Sequence, residues 1–216
     1  MKTSMEEHFS TIKPDGLAFF GAFNPPTIGH LLSADKARKD LSLSEVLFVP
    51  SKSHYIEKTE GKDFAFSEEE RLAMLLALSA SRPWMKVYSG ELQEERQPRT
   101  YDTLQKIFKE TGKRYSLLFG SDKLMELETV WKHLPEIGKE FGFVVLSRSG
   151  KDTEKIIAKD SFLASLRPFM TLVEAPLECQ GISSTKARSA YLKKDYKSLK
   201  EMVPEEILAK LKEEER

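Results

Sequence analysis

The chain is poor in cysteine, in long apolar runs and in net charge. Its 216 residues contain one cysteine, Cys179, which excludes an internal disulfide and a cysteine-rich metal site. No apolar run approaches the length of a membrane-spanning helix, and residues 1–10 are polar, without the apolar core of a signal peptide. Lysine plus arginine equals aspartate plus glutamate at 34 each, so no net field attracts nucleic acid or an acidic membrane. These absences predict a cytoplasmic globular protein without nucleic-acid or membrane partners.

Short apolar runs alternate with longer amphipathic ones, which is typical of a parallel α/β sheet covered by helices. Candidate strands cover residues 17–20, 46–49, 85–88, 115–119, 143–146 and 170–173. Candidate helices cover residues 31–41, 68–79, 101–111, 122–130, 154–166, 185–193 and 204–215. We therefore predict a Rossmann-like, doubly wound parallel sheet with helices on both faces, in a single domain over 1–216. Within it, 1–15 is a predicted polar N-terminal extension and 194–216 a predicted C-terminal helical appendage.

The most informative segment runs from Gly21 to His30, directly after the first predicted strand. It reads Gly-Ala-Phe-Asn-Pro-Pro-Thr-Ile-Gly-His and precedes a predicted helix. Gly21 and Gly29 allow chain amides to approach a ligand closely, and a new helix points its free N–H groups and positive dipole end into a cleft. His30 lies in that first turn, three residues after Thr27. The segment therefore favours a nucleotide-phosphate site over a histidine that merely packs at a helix start.

A second segment, Gly-Ile-Ser-Ser-Thr-Lys-Ala-Arg over residues 181–188, precedes a helical run near the other end of the chain. Helix capping alone explains Ser183, with Ile182 as a hydrophobic staple. It does not explain three hydroxyl residues followed by Lys186 and Arg188, because basic side chains oppose the helix dipole at this end. A bound phosphate would reverse that balance.

Together the two segments resemble the T/HxGH and ISSTxxR signatures of the nucleotidyltransferase superfamily of adenylyl- and cytidylyltransferases. The resemblance covers nearly the whole chain and is strongest to the nicotinate and nicotinamide mononucleotide adenylyltransferases. It implies that His30 and Thr27 are catalytic, the histidine stabilising phosphate charge in the transition state. Many bacterial nicotinate enzymes have histidine where this chain has Thr27, but a hydroxyl also donates to phosphate. The resemblance further implies a set of ATP-binding residues: Gly21, Ala22, Phe23, Gly29, His30, Ser183, Ser184, Thr185 and Arg188.

The middle of the chain resembles the mononucleotide-binding part of the same enzymes. Gly120 and Asp122 follow a predicted strand and resemble the G-x-D-x-L segment of that family, although turn and cap chemistry alone would also explain them. Trp131 resembles the family tryptophan that stacks on the pyridine ring, a flat face suited to a cationic ring; a core position is its alternative. The implied mononucleotide-binding residues are Thr100, Thr103, Gly120, Asp122, Trp131, Lys58 and Arg148. Lys52 competes with Lys58 for the phosphate.

The implied reaction is attack of the mononucleotide 5′-phosphate on the α-phosphorus of ATP, giving a dinucleotide and pyrophosphate. The substrates imply Mg²⁺ held mainly by their phosphates and water, with ATP as co-substrate and no dedicated protein metal site. The residues before Thr100 depart from the usual Ser-Tyr-Thr, which leaves nicotinate against nicotinamide open, although Arg99 could favour the anionic acid. Oligomeric state also stays open, since relatives include monomers and larger assemblies.

Three alternatives stay beside this interpretation. Phosphopantetheine adenylyltransferase also carries threonine at the position of Thr27, but its chains are shorter and lack the pattern around Trp131. A cytidylyltransferase is a more distant alternative, favoured by Gln180 and Gly181 before the second motif. The non-enzymatic alternative is a nucleotide-binding sensor that keeps the fold without the chemistry.

Overall fold

The protein's structure is a computed structural model, and it describes residues 12–53, 66–127, 131–147 and 150–213. In these ranges the chain forms one six-stranded sheet, in which every neighbouring pair of strands is parallel and the order is β3-β2-β1-β4-β5-β6. The strands are β1 (Gly16–Gly21), β2 (Glu45–Pro50), β3 (Met85–Val87), β4 (Tyr115–Gly120), β5 (Phe143–Ser147) and β6 (Met170–Glu174). Each lies on a predicted strand, so the parallel α/β prediction is confirmed.

Nine α-helices lie within the described ranges and cover the sheet in two layers. They are α1 (Ile28–Asp40), α2 (Glu68–Ala80), α3 (Thr100–Thr111), α4 (Leu134–Glu140), α5 (Gly150–Lys159), α6 (Ser161–Leu166), α7 (Ser184–Leu192), α8 (Tyr196–Lys200) and α9 (Glu205–Glu213). One buried cluster joins α1, α2 and α7–α9 to the sheet, and a second joins α3–α6 to it. Helices therefore cover both faces, as a doubly wound sheet requires.

Successive residues of the central strands enter opposite layers, because side chains alternate across a strand. Leu17 of β1 and Val46 of β2 belong to the first cluster, whereas Ala18 and Leu47 belong to the second. All four are buried, and this explains why these strands are apolar throughout rather than alternating.

The C-terminal residues contribute to the first layer. Leu199 of α8 and Ile207 and Leu211 of α9 are fully buried in its cluster. The backbone N–H of Ile28, the first residue of α1, donates to the carbonyl of Met202 between α8 and α9 (2.9 Å). Residues 196–213 thus pack directly against the start of α1.

Two predicted helices differ from the structure for local reasons. The predicted helix 154–166 is two helices that meet at Asp160, whose carboxylate accepts the backbone N–H groups of Phe162 and Leu163 and so caps α6. The predicted helix 122–130 is a 3₁₀ segment, Ser121–Glu126, in its described part, and residues 128–130 lie outside the described ranges. The short helices α4 and α8 were not predicted, because neither is long enough to show a helical period.

The strand order has its switch point between β1 and β4. From β1 the chain moves outward to β2 and β3, and from β4 it moves outward to β5 and β6. Ligands of such sheets bind at the carboxyl ends of the strands beside this point. The turns after Gly21 and Gly120 lie there. Among the described helices none is both long and apolar enough to cross a membrane.

Candidate active site

The turn between β1 and α1 is held by buried polar contacts. Asn24 is fully buried, and its side-chain Oδ1 accepts the backbone N–H of Phe66 (3.0 Å). Its backbone carbonyl accepts Nη1 of Arg188 (2.7 Å). Phe23 has a left-handed backbone, with φ 45°, and its ring is buried. The turn is therefore fixed by partners distant in sequence before any ligand arrives.

Thr27 and His30 form a capping box at the start of α1. The backbone N–H of His30 donates to Thr27 Oγ1 (3.4 Å), and the backbone N–H of Thr27 donates to His30 Nδ1 (3.0 Å). The Thr27 hydroxyl also lies 2.9 Å from Nδ1. Because Nδ1 accepts a backbone N–H, the neutral imidazole carries its proton on Nε2. His30 therefore presents one N–H donor on the side away from its cap.

Aromatic rings orient the imidazole of His30. The ring centroid of Phe23 lies 5.2 Å from that of His30 with the planes at 68°, and that of Phe19 lies 5.8 Å away. Phe19 and Phe23 also contact each other edge to face at 5.5 Å. With the capping box behind it and two rings beside it, the imidazole has little rotational freedom, as a transition-state donor requires.

The second motif reaches the first one directly. Ser184, the first residue of α7, donates its hydroxyl to the carbonyl of Pro25 (2.9 Å). Arg188, one turn later, is 8% exposed and holds the Asn24 carbonyl. A Cβ on Gly29 would lie 3.4 Å from Cγ2 of Ile182, which places the two motifs in van der Waals contact. The two helix N-termini therefore lie beside the same turn.

The hydroxyl residues of the second motif have different partners. Ser183 caps α7 by accepting the backbone N–H of Lys186 (3.2 Å), as capping alone predicts. Thr185 Oγ1 accepts Nη2 of Arg188 (3.3 Å). The ammonium of Lys186 turns back to the carbonyl of Gly181 (2.9 Å). Thr185 and Arg188 thus form one polar unit next to the β1 turn.

Gly120 and Asp122 lie at the end of β4, the strand next to β1. A Cβ on Gly120 would lie 2.3 Å from Oδ1 of Asp122, so the carboxylate occupies the space that any other residue would fill. Trp131 packs edge to face against Phe119 of the same strand, with centroids 5.1 Å apart and planes at 74°. Trp131 is only half-buried. It is supported by the core and still accessible.

The start of α3 lies over a buried carboxyl group. Thr100 is half-buried, whereas Thr103 is buried and donates its hydroxyl to Oε1 of Glu91 (2.7 Å). Glu91 also accepts the side-chain amide of Gln97 (2.5 Å). Burial raises the pKa of Glu91 to about 7, against the lowering effect of these two hydrogen bonds. Thr103 therefore orients α3 and does not face solvent.

Arg99, directly before α3, lies beside the tryptophan segment. Its Nη1 is 3.0 Å from Nε2 of His133, two residues after Trp131. Because a guanidinium only donates, Nε2 is the acceptor. The ring of His133 lies 5.4 Å from that of Tyr101. A cationic side chain thus lies beside the segment that carries the half-buried tryptophan.

The predicted phosphate lysine and strand-end arginine, Lys58 and Arg148, lie outside the described residues, as does His54. Lys52 is described, and its ammonium donates to the carbonyl of Leu92 (2.9 Å) and pairs with Glu68 (3.5 Å). Its charge is therefore committed to groups of the protein.

Sequence reasoning missed Arg71, a fully buried arginine of α2. Its guanidinium donates to the carbonyl of Ala22 in the β1 turn (2.7 Å). The signal was its place in the helix: Arg71, Met74, Leu75 and Leu78 are the buried residues of α2 and follow the spacing of one helix face. A charged residue on an otherwise apolar face indicates a specific buried partner.

The described residues contain no group of three or more His, Cys, Asp or Glu that could hold a metal ion. Backbone N–H and hydroxyl groups of the two motifs are suited instead to the phosphates of a nucleotide, which brings its own counter-ion.

A histidine with a fixed donor, in a strand–turn–helix that meets a second helix N-terminus, is suited to bind the phosphates of a nucleotide. Residues 18–190 match the family model described as Cytidylyltransferase-like. The chain belongs to this family.

Two of its relatives are named probable nicotinate-nucleotide adenylyltransferases. It is 30% identical over 191 residues to the probable nicotinate-nucleotide adenylyltransferase of Moorella thermoacetica, covering 87% of this chain and 84% of that one. It is also 30% identical over 196 residues to the enzyme so named in Lactiplantibacillus plantarum, covering 89% and 83%. A solved structure of the Plasmodium falciparum nicotinic acid mononucleotide adenylyltransferase with NaAD has a TM-score of 0.68, covering 91% and 93% at 18% identity, so the two share the fold. The family resemblance seen in the sequence is confirmed.

Proposed function

We propose that this chain is an enzyme that transfers the adenylyl group of ATP to nicotinate mononucleotide, forming the deamido dinucleotide of NAD synthesis and releasing pyrophosphate. The observation that carries the proposal is the Nε2–H donor of His30, fixed by Thr27 at the place where α1 and α7 meet. The relatives named above support this acceptor. We place the reaction in the cytoplasm, as the sequence predicts.

The chemistry requires no protein nucleophile. An oxygen of the mononucleotide 5′-phosphate attacks the α-phosphorus, a new P–O bond forms, and the bond to the bridging oxygen of pyrophosphate breaks. Negative charge grows on the phosphate oxygens, and His30 donates Nε2–H to them. The N–H groups of the 21–23 turn and Gly29 add backbone donors. Catalysis therefore rests on positioning and charge stabilisation.

The leaving pyrophosphate lies at the N-terminus of α7 in this proposal. The positive end of the helix dipole and unpaired N–H groups favour an anion there. Ser184 contributes its backbone N–H and Thr185 a hydroxyl donor, and Arg188 adds a charge that is buried and poorly screened by solvent. Ser183 contributes by capping the helix that carries them.

The acceptor lies at the end of β4 and the start of α3. Trp131 stacks on the pyridine ring, with Gly120 and Asp122 lining the cleft and Thr100 at the N-terminus of α3. Lys58 and Arg148 contact its phosphate. Thr103 acts through Glu91 by fixing α3. Arg99, beside the tryptophan segment, favours the anionic nicotinate over the neutral nicotinamide.

Mg²⁺ fits this site as an ion carried by ATP. It would be held by phosphate oxygens and water, as that ion prefers. When bound, it neutralises part of the triphosphate charge and so assists pyrophosphate departure.

The test is pyrophosphate release from ATP and Mg²⁺ with nicotinate mononucleotide, nicotinamide mononucleotide, phosphopantetheine or no acceptor. A parallel set replaces ATP with CTP. We expect turnover with ATP and nicotinate mononucleotide, and weaker turnover with the amide. Turnover with phosphopantetheine alone, or with CTP alone, would reject the proposed substrates. Binding of ATP without turnover in any reaction would indicate the sensor.

A further inference from the structure

Arg71 connects three chain segments at the edge of the candidate site. Its Nη1 donates to the carbonyl of Ala22 (2.7 Å), and its Nη2 to the carbonyl of Ser51 (2.6 Å) and the hydroxyl of Ser53 (3.2 Å). Its Nε donates to the carbonyl of Phe66 (3.2 Å). These acceptors belong to the turn after β1, the residues after β2 and the residue before the cap of α2. One guanidinium therefore holds all three segments.

Burial of the Arg71 side chain would be unfavourable if its guanidinium had no hydrogen-bond partners. Its side chain is fully buried, and removing a guanidinium from water is unfavourable unless hydrogen bonds replace the hydration. The four oxygens above supply hydrogen bonds that replace the lost hydration. The guanidinium thus lies directly behind the β1 turn.

The bond to Ala22 determines the orientation of the next amide. The peptide between Ala22 and Phe23 is trans, and a trans peptide points its C=O and N–H in opposite directions. Because the carbonyl of Ala22 points at the buried guanidinium, the N–H of Phe23 points away from it. The left-handed backbone of Phe23 is held in the same turn. This amide is one of those assigned to ATP.

The turn is held at a second carbonyl by the second motif. Arg188 donates to the carbonyl of Asn24, and Asn24 Oδ1 accepts the backbone N–H of Phe66. The carbonyl of Phe66 in turn accepts Nε of Arg71. The two arginines are thus linked through Asn24 and Phe66. A change at Arg71 would reach the turn both directly and through Phe66.

We propose that Arg71 is a positioning residue for ATP, which orients the Phe23 amide toward the triphosphate from inside the protein. The inference rests on the proposed nucleotide site but not on the identity of the acceptor. Arg71 touches no substrate and is not catalytic.

The test compares Arg71→Lys with Arg82→Lys. Lysine keeps the charge at position 71 but loses the planar fork that reaches several acceptors. Arg82 follows the same helix and pairs with Glu206 (2.8 Å) away from the site, so it controls for loss of a structural arginine. For each variant we would measure the Kd of a non-hydrolysable ATP analogue, both KM values, kcat and Tm.

For Arg71→Lys we expect the ATP-analogue Kd and the KM for ATP to rise about tenfold or more, since charge-assisted hydrogen bonds are lost. The KM for the mononucleotide should change by less than about twofold. Arg82→Lys should leave both KM values unchanged. Arg71→Met removes the charge as well and should weaken ATP further; if it does not fold, the lysine variant carries the test.

An unchanged Kd for the ATP analogue in folded Arg71→Lys would overturn the proposal. So would an equal rise of both KM values, because that pattern indicates a general loss of structure. The analogue measurement needs no acceptor. If the unaltered protein bound ATP but did not use nicotinate mononucleotide, the proposed function would fail while the role of Arg71 was still measured.

Discussion

Thr27 and His30 are joined by two reciprocal hydrogen bonds. Through them Thr27 caps α1 and also determines which ring nitrogen of His30 carries the proton. The N–H of His30 donates to Thr27 Oγ1, and the N–H of Thr27 donates to His30 Nδ1 at 3.0 Å. A backbone amide cannot rotate its hydrogen away as a hydroxyl can. The tautomer of His30 is therefore set by the main chain, and the threonine hydroxyl assists.

Replacement of His30 by alanine should lower kcat by about 100-fold or more, the usual loss for one transition-state donor. The ring accepts one hydrogen bond of the α1 capping box, so Tm should fall modestly, as it does when an N-cap is lost. Steady-state kinetics with both substrates would measure this. Lys36→Ala on the same helix, which loses only a surface pair with Asp40, is the control. Normal turnover by His30→Ala would remove the histidine from the mechanism.

Thr27→Val keeps the shape of the side chain and removes its hydroxyl. We expect Tm to fall, because loss of an N-cap costs about 1 kcal/mol. We expect kcat to fall by less than in His30→Ala, since the backbone N–H of Thr27 still binds Nδ1. Thr27→Ser should restore both values. If serine failed to restore kcat while restoring Tm, the methyl group and not the hydroxyl would position His30.

The sequence predicted the sheet well because its strands are buried on both faces. A strand such as β2, with all six residues buried, reads as a short apolar run with few competing interpretations. The helix break at Asp160 was missed because a capping residue in the middle of an amphipathic stretch looks like one more polar position. The helices α4 and α8 are too short for the sequence to show a helical hydrophobic period.

The residues of the candidate site could be predicted only where they belong to a recognisable sequence motif. His30, Ser184 and Arg188 stand in recognisable segments, and the structure brings these segments together. Arg71 has no motif, and its function depends on which carbonyls lie above α2, which only the fold determines. The partner of Thr103 was also beyond sequence reasoning, because Glu91 lies twelve residues earlier on a separate 3₁₀ turn.

Glu91 should make stability depend on pH. Its folded pKa is raised by burial from 4.5 to about 7, so the native state binds a proton more tightly than the unfolded chain. The contribution to the free energy of unfolding is thus complete below pH 4.5 and is lost as pH rises to about 7. The free energy of unfolding in urea would be measured between about pH 5 and about pH 8 for the unaltered protein and for Glu91→Gln. Its change with pH should differ between the two proteins.

The control for this experiment is Glu94→Gln, which removes an exposed neighbouring carboxylate paired with Lys106. This variant should show the same change of unfolding free energy with pH as the unaltered protein. The reason is that Lys106 lowers the pKa of Glu94, so Glu94 is already ionised over this range. An unchanged slope in Glu91→Gln would mean that other groups cause the pH dependence.

Two glycines separate effects on binding from effects on folding. Gly120→Ala would place Cβ 2.3 Å from Oδ1 of Asp122, a side-chain atom that can move, and the backbone at φ −80° accepts alanine. We expect the KM for the mononucleotide to rise about tenfold through displaced Asp122, with little change in Tm. Gly16→Ala meets the backbone carbonyl of Glu45 at 2.7 Å and should lower Tm without changing KM. The opposite assignment of effects would exclude Asp122 from the acceptor site.

The chain has two tryptophans, and only one should report on the acceptor. Trp131 lies half-buried against Phe119 in the proposed pyridine site, whereas Trp84 lies in the other layer under the guanidinium of Arg38 at 5.0 Å. Stacking of an electron-poor ring on Trp131 should quench its fluorescence. Nicotinate mononucleotide should therefore quench Trp84→Phe as it quenches the unaltered protein, and should leave Trp131→Phe unquenched. Trp131→Leu should raise the KM for the mononucleotide about tenfold, since a stacked aromatic pair is lost. Quenching that disappears with Trp84 instead would place the pyridine ring on the far layer and leave Trp131 as a core residue.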